Sequence, residues 1–202
     1  MPNITIVKAS PLSQVGARLN QMALDHMAFS LAGSRKQSVV DQTFDHLWRS
    51  DESRFSHQYA YEAVKSGETL GIVTCYPVKR MDRLAWPTFR KLLASRKLGL
   101  IGYHLANLKE LYSILTLKEG KDDEFHVGTL ATMPESRGLG VGAQLLNFAE
   151  EEAKSLGYEK ISLTVRSDNV RAAQLYERVG YRKVSKVVKP SLAIYRMVKM
   201  LY

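Results

Sequence analysis

Glycines at positions 138, 140 and 142 stand between an apolar, strand-like run and a helical pattern, in the order Arg137-Gly138-Leu139-Gly140-Val141-Gly142. No other stretch constrains the fold as tightly. The glycines remove the side chains that would keep backbone amides away from an anion. A helix starting there adds unpaired N–H groups and the positive end of its dipole. Strand, glycine loop and helix together read as a backbone cradle for a pyrophosphate, with Arg137 as a screened cation at its rim.

A rival reading fits part of this. Gly138, Gly140 and Ala143 also satisfy the dinucleotide pattern G-x-G-x-x-G/A, with a strand before and a helix after. Three features oppose it. Pro134-Glu135-Ser136-Arg137 separates Met133 from the first glycine, whereas the dinucleotide turn is tight. The next strand ends in Arg166 and Ser167, with no acidic residue in the usual register. Only 60 residues follow Gly142, too few for a doubly wound domain starting there. A purely structural glycine-rich turn is the remaining alternative.

The rest of the chain reads as one α/β domain over residues 1–202, with no repeat, linker or low-complexity tract. Ile4–Lys8 is an opening strand, and Val15–Leu31 carries apolar residues near helical period up to Gly33. Gln37–Arg49 is a second helix. Gln58–Val64 and Thr69–Tyr76 form a hairpin about Lys65-Ser66-Gly67-Glu68. Pro77–Asp123 breaks the rhythm as a helical insertion, predicted as one helix around Leu84–Leu93 with Pro87 in an early turn, and another over Leu105–Leu115. The core resumes with a strand Phe125–Met133, a helix Gly140–Leu156, a strand Lys160–Arg166, a helix Val170–Val179, and strands Tyr181–Val188 and Leu192–Met200.

Twenty-seven residues past Gly142 begins a second block, Asn169-Val170-Arg171-Ala172-Ala173-Gln174-Leu175-Tyr176, continuing to Gly180-Tyr181. It offers a hydrogen-bonding Asn and a phenol seven residues apart on one helix. Together the two blocks resemble the Gcn5-related N-acetyltransferase (GNAT) family, which moves an acyl group from acyl-coenzyme A to an amine. Thr129-Leu130-Ala131-Thr132-Met133-Pro134 matches the family's fourth strand, with Thr132 in place of the usual valine. Arg137 to Ala143 match its Arg/Gln-x-x-Gly-x-Gly/Ala signature, and Asn169, Ala172, Leu175, Tyr176, Gly180 and Tyr181 its second motif. The well-matched acyl-coenzyme A-binding core spans about 125–181.

The resemblance implies a mixed seven-stranded sheet, flanked by helices and splayed between its fourth and fifth strands, with the helical insertion placed before strand four. It implies acetyl-CoA as co-substrate and no metal. Backbone of Leu130, Ala131 and Thr132 would pair with the pantetheine arm. Arg137, Gly138, Leu139, Gly140, Val141, Gly142 and Ala143 would hold the pyrophosphate, and Asn169 would bond the coenzyme, although Asn is also a preferred helix N-cap. The Thr132 amide would polarise the thioester carbonyl, and Tyr176 would protonate the leaving sulfur, its other reading being a core aromatic. His126 is the candidate base. Strand alternation puts it on the face of Gly128, Leu130 and Thr132 unless a bulge intervenes, and imidazole titrates in the useful range. Glu124 or a water could serve instead, and a lone strand histidine is often structural. Resembling ribosomal-protein acetyltransferases carry a Glu five residues before the motif Asn, where this chain has Thr164.

The function expected is direct acetyl transfer to a primary amine within a ternary complex, the alternative being a non-catalytic acyl-CoA-binding sensor. Net charge is +9, and Lys79, Arg80, Arg83, Arg90, Lys91, Arg96 and Lys97 cluster against Asp82 alone. Placed before strand four, the insertion is expected over the acceptor side of the splayed sheet, where these cations would favour a small-molecule or peptide acceptor that is acidic. Nucleic acid and membrane are not expected partners, since no apolar run reaches the length of a membrane span. With one cysteine, Cys75, and no visible secretory signal, a cytoplasmic protein is expected. The leucine stripe at 105, 108, 111 and 115 needs a cover, for which a homodimer is one candidate.

Overall fold

The computed structural model describes residues 4–202. Strands β1 (Thr5–Lys8), β2 (Ala60–Lys65), β3 (Glu68–Pro77), β4 (Phe125–Thr132), β5 (Lys160–Arg166), β6 (Arg182–Lys189) and β7 (Leu192–Met200) form one sheet in the order β1-β2-β3-β4-β5-β7-β6. Every neighbouring pair is antiparallel except β4–β5. That parallel pair holds together only at Phe125–Ile161, His126–Ser162 and Val127–Leu163. From Gly128 onward the edge of β4 that faces β5 has no strand partner, so the sheet splays as expected.

One face of the sheet packs on helix α7 (Val141–Ser155), where Leu145, Leu146, Ala149 and Ala153 meet Val73, Cys75, Val127, Ile161 and Leu163. Burial pushes the Cys75 thiol up to about 12, so it behaves as a core hydrophobe. The other face carries α1 (Gly16–Leu24), α2 (His26–Ala32) and α3 (Gln37–Arg49), with Trp48 and Leu19 buried against Ile72 and Ala131. Helix α8 (Val170–Arg178) closes the far side, and its Tyr176 joins the α7 core.

Three helical expectations change. The segment 15–31 is two helices, because the backbone turns at Asp25 with φ of +50°. In the insertion, α4 runs over Val78–Arg96, so Pro87 is interior and not in an early turn. It starts six residues sooner than expected because Val78, Met81, Leu84, Thr88 and Leu92 form a continuous buried face. That burial outweighs the backbone hydrogen bond that Pro87 removes. The remaining leucines are divided between α5 (Leu98–Ala106) and α6 (Leu108–Leu115), separated at Asn107. Trp86, on the outer side of α4, is 65% exposed.

Candidate active site

The site begins with a bulge. Thr74 pairs with Thr129 but Cys75 pairs with Val127, leaving Gly128 as an extra residue in β4. A Cβ at Gly128 would overlap the Tyr76 hydroxyl, so only glycine fits. The bulge is tied from behind by a buried hydroxyl–amide chain. Thr129 Oγ1 donates to Asn20 Oδ1 at 2.7 Å and lies 2.7 Å from Thr74 Oγ1, while Asn20 Nδ2 donates to the Phe55 carbonyl at 3.1 Å. With every buried group partnered, this chain locks α1 to the middle of β4.

The extra residue resets side-chain alternation. His126 and Gly128 share the face of Tyr76, as expected, but Leu130 and Thr132 are turned to the opposite, α7-side face. His126 is fully buried and does not line the cleft. Its Nδ1 lies 3.0 Å from Ser162 Oγ, and its Nε2 faces Glu119 Oε2 at 3.7 Å without a hydrogen-bond partner.

Where β4 and β5 part, a cleft of about 1060 Å³ opens. Its walls include Gly128–Thr132 from β4, Leu163–Arg166 from β5, the glycine loop, and Asn169, Leu175 and Tyr176 of α8. Expected site residues Leu130, Ala131, Thr132, Arg137, Gly138, Gly140, Val141, Gly142, Ala143, Asn169 and Tyr176 all line it. Leu139 does not. Its side chain is exposed and its N–H donates to the Ser136 carbonyl at 3.3 Å.

The glycine loop is pinned by Ser136, whose buried hydroxyl donates to the Leu70 carbonyl at 2.8 Å. Gly138 and Gly140 have φ of +82° and +76°, the left-handed region that other residues enter at a cost. Gly142 has a different reason to be small, since a Cβ there would lie 3.1 Å from Leu175 of α8. Among the described residues, the amides of Gly138, Gly140, Val141, Gly142 and Ala143 have no protein acceptor. Five donors converge at a helix N-terminus, an arrangement that suits a polyanion.

Asn169 is the N-cap of α8, its Oδ1 accepting from the Ala172 amide at 3.2 Å. The residue is nonetheless exposed on the cleft wall. Burial pushes the Tyr176 hydroxyl up to about 12, so the phenol keeps its proton at neutral pH. Arg166, at the end of β5, grips Asp168 through Nε at 2.9 Å and Nη2 at 2.5 Å, and approaches Asp25 at 3.6 Å. These contacts join the α1–α2 corner to the opposite wall of the cleft.

Sequence reasoning missed one residue of consequence. Glu119, in the loop after α6, lines the cleft and holds Arg54 Nη2 at 2.6 Å. Burial acts to raise its carboxyl, but Arg54 and His126 outweigh that and hold it below the usual carboxylate range. No local pattern marks Glu119. Glu124, the alternative base, is closed off: it is buried against Arg196 and accepts the Lys121 amide at 3.0 Å.

A smaller cavity of about 450 Å³ adjoins the cleft through His26, Met27, Arg166 and Ile194. It is formed by α2, α5, α6 and the β6–β7 turn. Inside it, Glu110 Oε2 accepts from Ser30 Oγ at 2.5 Å and Tyr103 at 2.9 Å, with Arg35 3.8 Å from Oε1. Arg80, Arg83 and Arg90 line neither cavity. No group of His, Cys, Asp and Glu among the described residues could hold a metal, and no described helix is long and apolar enough to cross a membrane.

Comparison with known proteins agrees with this geometry. The sequence profile described as the acetyltransferase (GNAT) family matches residues 26–181. A curated relative, the uncharacterized N-acetyltransferase YobR of Bacillus subtilis (strain 168), is 32% identical over 60 residues. That segment spans 30% of this chain and 24% of the relative's length. A crystal structure of an acetyltransferase is similar with a TM-score of 0.70 and 20% identity, covering 98% of this chain and 100% of that one. An N-acetyltransferase from Staphylococcus aureus Mu50 is similar with a TM-score of 0.69 and 21% identity, covering 96% and 99%. At such identities the two structures speak for the fold.

Proposed function

This chain belongs to the acetyltransferase (GNAT) family, and on that premise we propose that it moves an acetyl group from acetyl-CoA to a primary amine by direct transfer in a ternary complex. One observation carries the reading: a single cleft collects the unpaired edge of β4, the free amides of the glycine loop and the protonated phenol of Tyr176. The loop amides and Arg137 hold the pyrophosphate. The open edge of Leu130–Thr132 pairs with the pantetheine arm as an added strand would. Asn169, while capping α8, keeps its exposed amide group for the coenzyme.

The amine nitrogen bonds to the carbonyl carbon, the carbon–sulfur bond breaks, and Tyr176 supplies the proton that the leaving thiolate takes. A β4 amide near Thr132 stabilises the carbonyl oxygen as charge develops on it. The amine must also lose a proton, and here the reading departs from His126 acting alone. Glu119 is the member that reaches the cleft, and the unpartnered Nε2 of His126 lies directly behind it. We assign proton removal to this pair: Glu119, its carboxyl held low by Arg54, accepts a hydrogen bond from the attacking amine and relays the proton to the unpartnered Nε2 of His126 behind it.

Family members act on small-molecule or peptide amines, and the acceptor enters through the smaller cavity. Arg35 and Arg166 face that cavity already paired, Arg35 with Glu110 and Arg166 with Asp168 and Asp25, so the cavity by itself gives an acidic acceptor no free cation, and the basic face of α4 does not line it. Titration calorimetry with acetyl-CoA and with NADH tests the cofactor: acetyl-CoA binds and NADH does not. Release of free thiol with an amine and peptide panel tests transfer. Tight coenzyme binding with no turnover on any amine would favour the sensor instead.

A further inference from the structure

Helices α5 and α6 are amphipathic in the reverse sense. Leu100, Tyr103 and His104 of α5 turn inward, Leu100 packing with Leu92, Ala28 and Ala32. On the opposite side Leu98, Ile101 and Leu105 are exposed, at i, i+3 and i+7. In α6 the inward positions are Glu110, Ser113 and Ile114, while Leu108, Tyr112 and Leu115 face out at i, i+4 and i+7. Exposure reaches 81% at Leu98 and 71% at Leu115. A monomer in water has no use for six large apolar side chains on one outward stripe.

Charge decides what covers it. Between Asp82 and Glu110 the chain has no acidic residue. Arg83, Arg90, Lys97 and Lys109 in that interval are exposed, and Arg83 and Arg90 flank Trp86, which stacks on Phe89 with ring centroids 5.8 Å apart. Lys189 of the β6–β7 hairpin adds another cation, its Nζ 5.7 Å from the Tyr112 ring. Lys97 and Lys109 adjoin the stripe in sequence and Lys189 reaches Tyr112, so a two-fold contact through that stripe would bring like charges together. Its natural complement is a surface that is apolar inside and anionic at the boundary.

We propose that the α4–α6 insertion is an interfacial anchor, seating the leucine stripe among the acyl chains of an anionic lipid membrane while its lysines and arginines meet the headgroups. Helices with this division of residues lie in the plane of the interface without spanning it, basic residues adding attraction to anionic lipid and Trp favouring headgroup depth. This differs from the sequence expectation of no membrane partner, which rested on the absence of a spanning segment. The same two helices line the smaller cavity with their inward face, through Tyr103, Glu110 and Ile114, so a seated enzyme holds its acceptor entrance one helix thickness from the bilayer surface.

Vesicle flotation tests this with the full chain. Liposomes of phosphatidylcholine alone are compared with liposomes containing about one-third phosphatidylglycerol, an anionic lipid. The protein should float with the anionic vesicles at least tenfold better. Leu98→Gln/Ile101→Gln/Leu105→Gln should lose that binding, and Arg83→Glu/Arg90→Glu should weaken it, both keeping coenzyme A affinity as the check on folding. No flotation with anionic vesicles at low salt overturns the proposal. So does equal binding by the triple variant, or a tight dimer in sedimentation equilibrium that the triple variant disperses. Because coenzyme A binding is read separately, failure here is distinguishable from failure of the acetyltransferase reading.

Discussion

Replacing Glu119 by Gln removes the negative member of a pair that is mostly enclosed, with the Arg54 side chain 23% and the Glu119 side chain 15% exposed. Arg54 then keeps its charge with no counter-ion, and its Nε already lacks a partner. Breaking a fully buried pair costs about 3–5 kcal/mol. The opening of Glu119 to the cleft reduces this, and about 2–3 kcal/mol is expected for Glu119→Gln. For a domain of this length that lowers Tm by about 4–12 °C. Urea unfolding of Glu119→Gln, Arg54→Met and the double variant measures the terms. The double variant should be less destabilised than the sum of the singles by at least about 1 kcal/mol, since removing both charges strands neither. The pair also has an acid signature. The folded carboxyl is held below its ordinary range, so the unfolded chain binds a proton first as pH falls. Stability from the pair is complete above about pH 4.5 and is lost progressively below it. Glu119→Gln should flatten that acid limb. A single variant within about 0.5 kcal/mol of the parent, or additive singles, would refute the electrostatic role.

Gly140→Asp should weaken coenzyme A binding at least about tenfold, or ~1.4 kcal/mol, by calorimetry. Gly140→Ala, whose Cβ meets open space but whose φ stays positive, should cost about 1 kcal/mol of stability. Tyr176→Phe should lower kcat roughly 10²-fold with coenzyme affinity retained; because burial raises the phenol to about 12, any alkaline limb near neutrality should survive the change. Gly128→Ala forces the Tyr76 hydroxyl away from the bulge, and thermal unfolding should report a loss of about 1–3 kcal/mol.

Much of the molecule was legible along the chain because its causes are local. The left-handed glycines at 138 and 140, the capping Asn169, and the alternation through Lys160–Arg166 each depend on residues a few positions apart. They were enough to mark the strand, loop and helix around 137–143 and the helix that carries Tyr176, whereas the splayed sheet came from the resemblance to a family. The breaks at Asp25 and Asn107 were hidden because apolar period continues across them while the backbone does not. The bulge at Gly128 was foreseen only as a possibility, since it is set by Tyr76 and Thr74 on a strand far back in the chain. Glu119 was invisible for the same reason: its partner Arg54 lies 65 residues away, and His126 arrives on another strand. Sequence patterns record what neighbours along the chain require. The meeting of Glu119 with Arg54 and His126, and the outward leucines of the insertion, were decided by which distant surfaces meet, and those contacts exist only once the sheet has formed and the helices have docked.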